Sequence, residues 1–168
     1  MRIILIGFMG VGKTVVGKSL AKNLNIKFID MDNEIEKREN KIISDIFKEY
    51  GEAYFRKLEN DLLKELLKED NIIISTGGGI ITKQENIDIL KQESKVVFLD
   101  ANVKTIQKNV SKEIDKRPLL KQSEDIAKTI DNLLKKRINK YNDIYNMKID
   151  INDKNINEVV SEILVHIG

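Results

Sequence analysis

Short, uniformly apolar runs separated by longer amphipathic stretches set the rhythm of this chain. Ile3-Ile4-Leu5-Ile6, Ile72-Ile73-Ile74 and Val96-Val97-Phe98-Leu99 are bounded by polar or glycine residues and are too short for helices. Such runs read as strands buried on both faces. Ile26-Lys27-Phe28-Ile29 and Ile149-Asp150-Ile151 add two weaker strands. Between them, apolar residues recur at helical spacing. Val15, Val16, Leu20, Ala21 and Leu24 predict a helix from Thr14 to Leu24. Further helices are predicted over about Asn33 to Glu39, Ser44 to Glu49 (Ser44 as N-cap) and Glu52 to Glu69, with Gly51 dividing the last two. Others cover Lys83 to Lys91, Asn102 to Ser111, Glu124 to Tyr141 and Ile156 to Ile167, and a charged loop spans Lys112 to Gln122. Strands alternating with helices predict an α/β fold in three α/β/α layers around a five-stranded parallel sheet, as one domain over residues 1–168. In such sheets ligands bind beyond the carboxyl ends of the strands. That rule places Gly7 to Thr14, Asp30 and Asp32, Gly77 to Gly79, and Asp100 along one rim.

The first strand runs into Gly7-Phe8-Met9-Gly10-Val11-Gly12-Lys13-Thr14, which fits G-x-x-x-x-G-K-[ST], the phosphate-binding P-loop. Glycines let successive N–H groups turn into one concavity, and the following helix adds its positive end. Gly10, Val11, Gly12, Lys13, Thr14 and Val15 are therefore the ATP-site candidates. Lys13 is placed to reach the β- and γ-phosphates, and the Thr14 hydroxyl to ligate Mg²⁺. A carboxylate at another strand tip normally shares the metal. The third strand ends in Ser75 and Thr76, which leaves Asp30 or Asp100 to hold Mg²⁺ through water. With Asp30 on the metal, Asp32 is free to take a proton from a substrate hydroxyl; the competing reading makes Asp32 a helix cap.

Composition narrows the chemistry. Cysteine is absent and His166 is the single histidine, which excludes thiolate zinc sites, cysteine nucleophiles and histidine triads. Charged residues make up 33% of the chain but the net charge is only +2, and aromatics reach only 5%. No nucleic-acid groove and no membrane segment is expected, and a cytoplasmic monomer is. Arginine is rare in a lysine-rich chain: Arg2, Arg38, Arg56, Arg117 and Arg137. Arg2 and Arg38 are put down to chance. Arg56 and Arg137 are candidates for gripping a second, anionic substrate, where the planar fork suits a carboxylate. Arg117-Pro118-Leu119-Leu120, within a lid over about 112–122, offers an arginine that closes over ATP.

Six ordered motifs together resemble the shikimate kinase family: Gly7 to Thr14; Asp30-Met31-Asp32-Asn33-Glu34-Ile35-Glu36; Ile46-Phe47 with Gly51-Glu52 and Phe55-Arg56-x-x-Glu59; Ser75 to Gly79; Arg117-Pro118-Leu119-Leu120; and Arg137-x-x-x-Tyr141. The resemblance implies a nucleoside-monophosphate-kinase-like P-loop fold with a lid, and transfer of the ATP γ-phosphate to the 3-hydroxyl of shikimate in chorismate and aromatic amino-acid synthesis. It further implies that Asp32 binds the shikimate hydroxyls and acts as base, with the substrate-binding segment over about 32–60. Asp30 would hold Mg²⁺ through water, and Arg56 and Arg137 the carboxylate. Gly78 and Gly79 would meet the ring hydroxyls, Phe47 and Phe55 would wall the pocket, and Arg117 would join Lys13 at the ATP phosphates. Two places depart from the family pattern. Lys108-Asn109-Val110 stands where an adenine-stacking arginine is common, and Asn152-Asp153-Lys154-Asn155 lacks the proline often found before the last helix.

Overall fold

A computed structural model describes residues 1–112, 118–121 (backbone alone at 118 and 119) and 123–168. Five parallel strands form one sheet in the order β2-β3-β1-β4-β5. They are β1 (Arg2–Ile6), β2 (Lys27–Asp30), β3 (Ile72–Ser75), β4 (Val96–Asp100) and β5 (Met147–Asp150). The three uniformly apolar runs are the three central strands, and Ile3 to Ile6, Ile72 to Ile74 and Val96 to Leu99 are at most 1% exposed. The mixed runs are the two edges, where Lys27 and Lys148 reach solvent.

α1 (Lys13–Leu24) and α9 (Ile156–Ile167) pack together. The right-handed crossover from β1 to β2 puts α1 on one face of the sheet, and α9, which follows β5, packs beside it. The other face is covered by α4 (Glu52–Leu66), α5 (Gln84–Leu90) and α8 (Ile126–Asn142), with α2 (Met31–Glu39), α3 (Ile43–Tyr50) and α6 (Val103–Val110) packed around them. The expected α/β/α layering and parallel sheet are those observed.

Local differences have physical causes. Ser44 lies inside α3, which begins at Ile43; the Glu36 carboxylate supplies the cap by accepting from the Ile43 N–H at 2.9 Å. Arg2 has a defined role: its fork donates to Glu93 at 2.9 and 3.0 Å and to the carbonyls of Leu67 and Glu69 at 2.6 and 3.1 Å, closing the C-terminal end of α4. Within the segment expected as a loop, Pro118–Lys121 forms a short helix, α7, and Leu120 is fully buried. Arg117 lies outside the described residues. No helix among the described residues is long and apolar enough to cross a membrane.

Candidate active site

The P-loop closes over the start of α1. Gly10 and Gly12 hold φ of 78° and 89°, left-handed values that favour glycine. No side chain caps α1 and no acid sits in its first turn, so its leading N–H groups are available to an anion. Lys13 is folded back on the loop, donating from Nζ to the carbonyls of Gly7 at 2.8 Å and Phe8 at 2.9 Å. Val15 is half-exposed beside it.

Asp30 and Asp32 are separated by a change of secondary structure. β2 passes directly into α2, so Asp30 is both the last strand residue and the N-cap, accepting from the Asn33 N–H at 3.1 Å. Its other oxygen accepts from the Thr14 hydroxyl. Asp32 sits in the first turn of the helix. The cap is therefore Asp30 and not Asp32. Asp100 is engaged elsewhere, by Lys148 at 2.9 Å across β4 and β5. Of the two candidate carboxylates, only Asp30 adjoins Thr14. One hydroxyl and one carboxylate, both hard oxygen donors, suit Mg²⁺ that keeps most of its shell as water and phosphate oxygen.

The Gly77-Gly78-Gly79 segment, just past β3, organises the second half of the site. None of the three has a left-handed φ; what requires glycine is crowding. A Cβ at Gly77 would stand 2.6 Å from Glu59 Oε1 and 2.8 Å from Asp32 Oδ1, and one at Gly78 only 2.9 Å from the Met9 N. One at Gly79 would run into the Arg56 guanidinium. The segment is thus wedged between the P-loop, two carboxylates and an arginine. Buried amides fix the helices around it: Asn60 donates to Asn86 at 2.6 Å, and Asn86 to the Ile80 carbonyl at 2.9 Å.

Both expected arginines converge here. Arg56, on α4, is 9% exposed, donates to Glu59 Oε2 at 2.9 Å and to Glu52 at 3.3 Å, and lies 5.2 Å from the Phe55 ring centroid and 6.0 Å from that of Phe47. Arg137, on α8, is 7% exposed, donates to the Gly78 carbonyl at 3.4 Å and lies 5.6 Å from the centroid of Phe8 in the P-loop. Tyr141, one turn on, donates its hydroxyl to the same carbonyl. The structure thus gathers Asp32, Arg56, Gly78, Gly79 and Arg137 beside the P-loop. A cleft of about 370 Å³ at the opposite rim, lined by Lys95, Asn146, Lys148 and His166 among others, contains none of these residues.

Glu59 is the site residue that pattern reading left without a role. On a highly charged helix it looks like solvated surface, yet it is fully buried and its Oε1 has no hydrogen-bond partner. Burial pushes its carboxyl up to about 7; the Arg56 charge opposes the rise and the Asp32 charge adds to it. The sign of the resulting pH dependence follows. Between about 4.5, the ordinary value, and about 7, the folded protein holds a proton that the unfolded chain has released. Stability therefore falls as pH rises through that window, by at most about 1.4 kcal/mol per pH unit. Denaturant titrations at pH 5, 6 and 7 should show this loss in the wild type and a flatter profile in Glu59→Gln. Identical profiles would refute it.

Comparison with known proteins agrees with this arrangement. The family model described as shikimate kinase matches residues 9–168. A curated shikimate kinase from Aquifex aeolicus is 43% identical over 168 residues, covering 98% of this chain and 95% of its own. The solved shikimate kinase from Acinetobacter baumannii in complex with shikimate superposes with a TM-score of 0.94 at 36% identity, over 99% of this chain and 92% of that one. A gluconokinase from Sinorhizobium meliloti shares the fold alone, with a TM-score of 0.55 at 15% identity over 98% of this chain and 89% of that one. A P-loop facing a glycine wedge flanked by two arginines and an aspartate, with a family match over nearly the whole length, leads to one assignment: the chain belongs to the shikimate kinase family.

Proposed function

We propose a division of labour among these residues for the reaction that the chain catalyses as a shikimate kinase, transfer of the ATP γ-phosphate to shikimate. The 3-hydroxyl is the acceptor, and the products are shikimate 3-phosphate and ADP. The triphosphate lies on the backbone N–H groups of Gly10 to Val15. Lys13 exchanges the loop carbonyls for phosphate oxygens, so its charge is spent on substrate only once ATP has arrived. Arg56 and Arg137 hold the shikimate carboxylate, and the backbone of Gly78 and Gly79 orients the ring. Asp32 takes the proton of the hydroxyl as its oxygen bonds to the γ-phosphorus and the bond to the ADP oxygen breaks. Thr14 directly, and Asp30 through water, would hold Mg²⁺, which supplies charge neutralisation on the phosphates when bound. Arg117 belongs to the same proposal as a cation over the transferring group. The enzyme is taken to work as a cytoplasmic monomer with no nucleic-acid or membrane partner.

The observation that carries the reading is the convergence of two nearly buried guanidinium groups and Asp32 around one glycine segment that touches the P-loop. ADP release measured with shikimate, quinate and gluconate as acceptors tests it. Shikimate should exceed the other two in kcat/KM by orders of magnitude. Comparable turnover of gluconate would overturn the assignment.

A further inference from the structure

We infer that Asn109, at the end of α6, is a positioning residue for the ATP phosphates, acting by fixing the orientation of one peptide in the P-loop. Its Nδ2 donates to the Gly10 carbonyl at 2.7 Å, bridging residues distant in sequence. No cis peptide occurs among the described residues, so the Gly10 carbonyl and the Val11 N–H point in opposite directions across a planar bond. With the carbonyl turned outward to α6, the Val11 N–H turns inward to the concavity of the loop. A glycine with φ of 78° is the residue at which such a peptide most readily flips, because no Cβ opposes the alternative.

The surroundings support a latch rather than a chance surface contact. A Cβ at Gly10 would stand 2.6 Å from Val110 Cγ1 and 3.4 Å from the Ile106 carbonyl. Val110 and Ile106 are at most 1% exposed. The last turn of α6 is therefore packed against the loop at this glycine, and Asn109 adds a directional bond. The far end of α6 is fixed as well: Asn152, in the loop after β5, accepts from the Asn102 N–H at 3.0 Å and from the Thr105 hydroxyl at 2.9 Å. A helix held at both ends gives the amide of Asn109 a stable base.

This inference rests on the nucleotide reading of the P-loop and not on the identity of the acceptor. Calorimetric titration with ADP and with AMP tests it. Asn109 is exposed, so Asn109→Ala should fold with a Tm close to that of the wild type. It should bind ADP about three- to tenfold more weakly, as loss of one neutral hydrogen bond allows, raise the KM for ATP by a similar factor and leave the KM for shikimate unchanged. Affinity for AMP, which lacks the β-phosphate, should not move. Asn109→Asp, which keeps the shape but points an acceptor at the Gly10 carbonyl, should bind ADP at least as weakly as the alanine variant. ADP affinity within twofold of the wild type in either variant overturns the proposal. Equal weakening of ADP and AMP by Asn109→Ala overturns it too. Failure of the wild type to bind ADP would instead reject the nucleotide reading itself.

Discussion

Replacing Asp32 with asparagine should lower kcat by about 10²-fold or more while ADP binds as before. Asparagine keeps the volume and one acceptor oxygen in the first turn of α2 but cannot accept a proton at neutral pH. Asp32 faces the glycine wedge, with Oδ1 beside Gly77, and the nucleotide cradle is built from other residues. Rate and nucleotide affinity should therefore separate. Single-turnover measurement of ADP formation, paired with calorimetric titration of ADP, checks this. A kcat near that of the wild type would remove Asp32 from the role of base. Weaker ADP binding would point to a collapsed site instead.

Truncation of Arg137 to alanine should act on the other substrate. The expected result is a rise of about 10²-fold in the KM for shikimate, from loss of a nearly buried charge-assisted contact, with the KM for ATP changed no more than about threefold. Arg137→Lys should recover only part of the loss, because a point charge lacks the bidentate fork. Initial rates with each substrate varied in turn provide the measurement. Equal effects on both KM values would count against carboxylate binding. The side chain reaches the Gly78 carbonyl from α8.

Much of this was legible in the residues. The three uniformly apolar strands were found because a strand covered on both faces must be apolar throughout, and the last helix because its period and polar start are unambiguous. The P-loop, the glycine triplet and the two arginines were recognisable from type and spacing. The relation between Asp30 and Asp32 was not. A strand that becomes a helix without a loop leaves no punctuation, so the residues do not show which of the two aspartates caps the helix. Glu59 escaped because burial of a carboxylate depends on what packs over it; Gly77 and Arg56 are far or unremarkable in sequence. Nothing local marks Arg2 either, since the carbonyls it meets belong to the end of a helix more than 60 residues away. The lid arginine, Arg117, lies outside the described residues.

Arg56 and Arg137 stand in place before any acid arrives, Arg56 held by Glu52 and Glu59 and Arg137 by the Gly78 carbonyl. A neutral polyol of matching outline would seal two guanidinium groups from water and return no charge to either. If the two arginines hold the acid as proposed, discrimination against uncharged sugars comes from what the protein would be left lacking rather than from a steric barrier. Such a filter rejects loss of the anion.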